Sequence, residues 1–312
     1  MSRQAVVCCA LILCTTSTVH GIAIPFTATG ADKDDPNLVA QVTAFRVLLG
    51  DLNANDPTTF SSGRREINWD AVPESSSSPN AFAGNFFNGS TTGRARGIVF
   101  DTTGTGFEVS ANAINSTGTP VEFGNINPNY PNEFGVFSAQ KLFAILGTNT
   151  MEITFFTAGD QTTPATVNGF GVIFTDVNDG MSTYVDYYDG CGALLQRVFA
   201  PAGEQGSESL SFVGVFFSGG ERVARVVITC GSAALGANVN DNGEDIVVMD
   251  DFIYGEPQAS VDSDGDGAPN DCDLFPDSPL CGASPCGPGL GLFGFFVPAF
   301  VGVRSMRRRL VR

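Results

Sequence analysis

The stretch "SLSFVGVFFSGGERVARVVIT" (residues 209–229) decides the fold. Its first half, Ser209–Phe217, is an apolar run rich in Phe and Val. Its second half alternates: Arg222, Ala224 and Val226 fall on one side, Val223, Arg225 and Val227 on the other. That period of two predicts strands, the second with one largely wet and one largely dry face. The Gly-Gly pair between them marks a turn.

Working outward, the same signature recurs from residue 97 to 257. "RGIVFD", "GFEVSA", "MEITFFTA", "VNGFGVIFTDV", "STYVDYYD", "LLQRVFA" and "DIVVMDDFIYG" are further β-rich runs, separated by Gly, Asn, Asp and Pro. With the two halves of the opening stretch they make nine, at roughly regular spacing, which predicts an all-β sandwich or barrel. The composition agrees: the chain has 37 Gly and 26 Phe, and its only lysines are Lys33 and Lys141. One helix is expected, over 35–50. Asp34 or Asp35 suits its cap, Pro36 its first turn and Gly50 its end, and Leu38, Val42, Phe45 and Leu49 recur at helical spacing. Residues 51–96 read as loops around a short strand in "GRREINWD".

The run from "GFGVIFTDV" through the opening stretch to "VVMDDFIYGEP" resembles the exported bacterial jelly-roll domains that accompany C-terminal sorting tags. The resemblance covers residues 97–257 and implies a lectin-like jelly-roll β-sandwich, placed here at 24–257.

Both ends read as addresses. "MSRQAVVCCALILCTTSTVHGIAIP" has a basic start, a short apolar run and small residues before Ile24, the anatomy of a signal peptide over 1–23. At the other end, Gly287–Val303 is 17 residues without a charge, followed by arginines. This is a short transmembrane helix by length, with the Arg cluster held on the cytoplasmic side. Its order of Cys-Gly, apolar stretch and arginines over 286–312 resembles bacterial C-terminal sorting tags of the Cys-Gly kind, relatives of the Pro-Glu-Pro tag. That resemblance makes Cys286 a candidate processing or anchoring point, and implies export and sorting machinery as partners. The protein is thus expected to be secreted or at the cell surface, membrane-associated through its tail.

Charge and chemistry narrow the function. Between residues 24 and 303 ten basic residues face 33 acidic ones, a net charge of −23. Such a body repels nucleic acid and attracts divalent cations. The one histidine, His20, falls in the signal region. A chain processed near Ala23 then holds none, which excludes Ser-His-Asp and Cys-His nucleophiles and His-ligated catalytic zinc. Export makes disulfides possible, with Cys191–Cys230 and Cys272–Cys281 as the favoured pairings.

Two local motifs carry candidate sites. "VDSDGDGAPNDCDLFPD" (261–277) aligns with a twelve-residue calcium loop. Asp262, Asp264 and Asp266 take positions 1, 3 and 5, Gly267 the sharp turn, Ala268 a backbone carbonyl, Asn270 position 9 and Asp273 position 12. The stretch resembles a thrombospondin type 3 repeat, which implies a calcium-braced connector over 258–285. A weaker loop of this kind spans 238–245, and Asp250 and Asp251 are a further candidate metal pair. "GRREINWDAVP" (63–73) offers Arg65, Trp69 and Asp70 as a possible ligand platform, with the chain's one Trp to stack on a sugar; a packed Trp is the plainer alternative. The function expected is a non-catalytic, calcium-binding surface protein whose sandwich head binds extracellular polysaccharide or matrix. The alternatives are a carbohydrate-active hydrolase with a carboxylate pair, and a purely structural envelope component.

Overall fold

The computed structural model describes residues 22–203, 207–218, 222–240, 243–265 and 269–270. The opening stretch supplies one strand to each of two sheets. β11 (Leu210–Phe217) is central in the first sheet, between the antiparallel strands β1 (Ala23–Gly30) and β8 (Gly169–Thr175). β12 (Arg225–Thr229) is central in the second, between β9 (Tyr184–Tyr188) and β6 (Thr150–Phe156). The first sheet runs β1-β11-β8-β13-β5-β4, where β13 is Val248–Gly255, β5 is Phe143–Leu146 and β4 is Gly106–Val109. β2 (Arg64–Ile67) also pairs with β13. The second runs β10-β9-β12-β6-β7-β14, with β10 Leu194–Phe199, β7 Pro164–Thr166, β14 Gln258–Ala259, and β3 (Ile98–Asp101) beside β6. All these strand pairs are antiparallel, and side chains of both sheets share one core that includes Val172, Val213, Phe252, Ile153 and Val226. The chain is an all-β sandwich with one α-helix among the described residues.

The first sheet is covered on both faces. Its inner face takes Val213, Val215 and Phe217 of β11 into the shared core. Its outer face takes Leu210 and Phe212 against helix α1 (Pro36–Leu49), whose buried stripe is Leu38, Val42, Phe45 and Leu49. The Asp35 carboxylate caps this helix by accepting from the amides of Asn37 and Leu38. Farther along the same sheet, Phe123, Tyr130 and Phe134 pack on Leu142, Ala144, Ile246 and Val248. Two-sided burial explains why β8, β11 and β13 are near-continuous apolar runs rather than alternating ones. It also explains the Gly-Phe-Gly strand. Gly171 and Gly214 are paired across β8 and β11. A Cβ on Gly171 would lie 2.8 Å from the Phe45 ring, and one on Gly214 2.9 Å from Phe212.

The expected alternation of 222–229 holds only in part. Val223 bridges Val167 and is buried, the chain bends at Ala224, and β12 then buries Val226 and Ile228. The bend shifts the phase, so Val223 and Val226 are both dry. β1, β5, β7 and β14 went unread in the sequence. The last of these extends the second sheet into the stretch assigned to the connector.

Candidate functional site

In β2 the alternation sends Arg64 and Glu66 to the helix side and Arg65 and Ile67 into the protein. Outside, Arg46 of α1 forks onto Glu66 at 2.9 and 2.7 Å, and Arg64 reaches the same carboxylate at 2.6 Å. Inside, Arg65 forks onto Glu256 at 2.7 and 2.9 Å. Its remaining donors go to the carbonyls of Ala54, Thr58 and Ala95, so all five guanidinium N–H groups are used. Glu256 also accepts from Asn53 and the Phe60 amide.

Trp69, 1% exposed, lies in the aromatic core. It stacks on Phe143 at 4.0 Å, meets Phe82, Phe87 and Phe252 edge-on, and donates its Nε1–H to the Asp250 carbonyl at 2.8 Å. Asp70 is half-buried and accepts from the Lys141 amide; burial pushes its carboxyl pKa up. Arg65, Trp69 and Asp70 therefore form no ligand platform. The cause is that β2 is a partner of β13 inside the sandwich rather than a strand exposed within a loop.

Asp250 and Asp251 occupy a bulge in β13, between Met249 (opposite Phe174) and Phe252 (opposite Val172). The Asp250 carboxylate accepts from the amides of Phe137 and Ser138 and from the Ser138 hydroxyl. Asp251 faces Arg46 at 3.5 Å. Burial, reinforced by its neighbour, holds the Asp250 carboxyl well above the usual range; burial also raises Asp251, to about 6. The buried Oδ1 of Asp251 has no hydrogen-bond partner among the described residues. The pair anchors α1 and the 137–138 segment. Among the described residues no cluster of three or more acidic, His or Cys side chains is placed to hold a metal.

In the acidic loop the described ligand positions are Asp262, Asp264 and Asn270; Asp266, Ala268 and Asp273 lie outside the described residues. Asp262 accepts from the Gly265 amide at 2.8 Å, in a turn where Gly265 has φ +74°. Asn270 accepts from the Ser263 amide, donates to its hydroxyl, and donates its own amide to the Val261 carbonyl. Position 9 thus closes on position 2 of the loop. The 238–245 loop differs: both oxygens of Asp245 are taken, by the Asn178 amide and the Ser182 hydroxyl.

Cys230 is a free, buried thiol, while Cys191 is disulfide-bonded, so the expected Cys191–Cys230 pair is corrected. The register explains it. Arg225 pairs with Tyr188 and Thr229 with Tyr184, so Cys230 follows one end of this ladder and Cys191 the other. Four residues of strand span about 13 Å, against the roughly 7 Å limit for bridged Cα atoms. Cys272, Cys281, Cys286, the signal region and the apolar tail lie outside the described residues.

Two clefts had no motif to announce them. One, of about 320 Å³, lies between the segments 74–80 and 111–117 and has Lys141 in its wall. The other, of about 570 Å³, is bounded by Asp51, Asn53, Phe60, Asn168, Arg222 and Glu256. The one available signal was Lys141 itself, one of two lysines in the chain, next to the apolar run "LFAIL". Comparison with known proteins returns no matching family model, no matching curated protein and no matching solved structure.

Proposed function

We propose that the protein is a non-catalytic, exported surface protein. Its jelly-roll head binds carbohydrate of the surrounding matrix in the Lys141 cleft. A calcium-binding loop braces the connector to a C-terminal hydrophobic helix that attaches the protein to the membrane or is processed there. The observation that carries the reading is the cleft. Its walls are mostly hydroxyl and amide side chains, with Ala111, one carboxylate, Glu74, and one ammonium, Lys141. Such a mixture of donors and acceptors suits a polyol and lacks the two carboxylates that glycoside hydrolysis needs, about 5–9.5 Å apart. The larger cleft holds Asp51 and Glu256, but Glu256 already accepts from Arg65, Asn53 and the Phe60 amide. That occupancy favours binding over turnover.

A glycan array probed with residues 24–285, with and without calcium and followed by product analysis, tests the head. Retention without new reducing ends supports the reading; product formation makes the protein a hydrolase, and no retention on any glycan makes it a structural component. For the loop, calorimetry should show calcium heat that an Asp264→Ala, Asp266→Ala double variant loses. Equal heat in that variant would place the cation elsewhere.

A further inference from the structure

Lys141 is 1% exposed, yet no carboxylate among the described residues lies within ion-pairing distance of its ammonium. Its Nζ donates to the Val72 carbonyl and to the Ser77 hydroxyl at 3.1 Å, both neutral. An ammonium has three donors, so one remains. Taking a charge out of water without a counter-charge costs several kcal/mol, and burial accordingly pushes the Lys141 pKa down against the pull of Asp70 and Glu74. Arg65, also fully buried, has Glu256. Lys141 has instead a cleft at its side.

From this geometry we infer that the cleft takes an acidic sugar, a hexuronate unit whose carboxylate meets Lys141. The inference rests on the carbohydrate reading above and names its ligand class. Polar groups for the rest of the ring stand nearby. The Asn112 amide makes no side-chain hydrogen bond among the described residues. Glu74, fixed by the amide and hydroxyl of Ser116, is exposed and able to accept from ring hydroxyls. The ring therefore enters with its carboxylate toward Lys141 and its hydroxyls toward Glu74. The acidic body as a whole repels such a ligand, so a preference for the acid has to come from Lys141.

The test uses calorimetry with tetragalacturonate, its fully methyl-esterified form and a tetraglutamate peptide. The acid should bind at least tenfold tighter than the ester and the peptide. Lys141→Met should erase the difference. Asn112→Asp, on the cleft wall and outside the core, should weaken the acid at least tenfold more than it weakens the ester. Should Lys141→Met fail to fold, Asn112→Asp decides alone. Equal binding of acid and ester overturns the inference and leaves carbohydrate binding standing. Equal binding of the peptide overturns the sugar class. Binding of none of the three overturns both this inference and the carbohydrate reading of the cleft.

Discussion

Glu256→Gln replaces one charge of a pair that is out of water on both sides: the Arg65 side chain is 0% exposed and that of Glu256 1%. The shape is kept, so no cavity forms. The guanidinium remains, still held by three carbonyls, but faces a neutral amide whose Nε2–H2 donor meets one of its own N–H groups. Removing one partner of a buried ion pair costs about 3–5 kcal/mol, because the other charge is left uncompensated. With a urea m-value of about 2 kcal/mol/M, the midpoint should fall by about 2 M. The chain reports this itself, since its one Trp sits in the core and its fluorescence follows core unfolding. Arg65→Met alone should be costly too, as it bares the Ala54, Thr58 and Ala95 carbonyls. The double variant should cost less than the two singles together, by up to about 3 kcal/mol, since neither charge is then stranded. Additive costs, or a midpoint shift below about 0.5 M for Glu256→Gln, would refute the picture of a dry pair.

The remaining predictions use the same unfolding assay or simple chemistry. Asp251, raised to about 6 chiefly by burial, binds its proton more tightly folded than unfolded. Its contribution is therefore present below about pH 4 and lost as pH rises through 6. The groups facing it are Arg46, Glu66 and Asp250. In Asp250→Asn an amide donor stands beside Asp251 in place of the carboxyl, so the fall in urea midpoint between pH 4 and 6.5 should be smaller than in the parent; an unchanged slope would deny that Asp250 acts on the titration of Asp251. Gly171→Ala drives a methyl to 2.8 Å from the Phe45 ring and should cost about 1–3 kcal/mol, partly recovered by Phe45→Leu. Native protein should show Cys230 inert to a thiol reagent until unfolded, since burial raises its thiol pKa, and Cys191 inert until reduced. Rapid labelling of Cys230 in the native state would contradict its burial.

The strands were legible where a run was long or alternated. β11, β8 and β13 stand out because both faces of their sheet are covered, which keeps polar residues out of them. β1 was missed because it begins at the presumed cleavage point and carries Pro25, tolerated on an edge strand. β5 and β7 are four and three residues long, too short to show a period. The helix was readable to within a residue because its cap, proline and stripe all agree. Trp69 could not be placed from sequence: the same Arg-Glu-Trp-Asp string fits an exposed platform or a sheet partner, and only the pairing of β2 with β13 decides. The Lys141 cleft was invisible for a different reason. Its walls come from three segments, 74–80, 111–117 and Lys141, each more than twenty residues from the next, and no spacing rule joins them.

The polar groups buried around β13 separate what is structural from what is free to bind. Arg65 exhausts its donors on Glu256 and three carbonyls. Arg46 divides itself between Glu66 and Asp251. Asp250 spends its oxygens on residues 137 and 138. Each of these fixes one element to the sheet and leaves little for a ligand. Asp250, however, holds the start of the segment that ends in Lys141, and Asp70 accepts from the Lys141 amide. The backbone under the lysine is thus clamped from two sides by carboxylates that bond amides and form no ion pair with the ammonium. A cation held in this way is set in place before any ligand arrives, so little ordering cost remains for binding. Loosening the clamp should therefore weaken an acidic ligand without touching it. Asp70→Asn keeps an acceptor for the Lys141 amide and should preserve affinity, while Asp70→Ala removes it and should reduce affinity several-fold with Lys141 still present. Equal affinity in the two variants would show that the ammonium is positioned by its own bonds to Val72 and Ser77 alone.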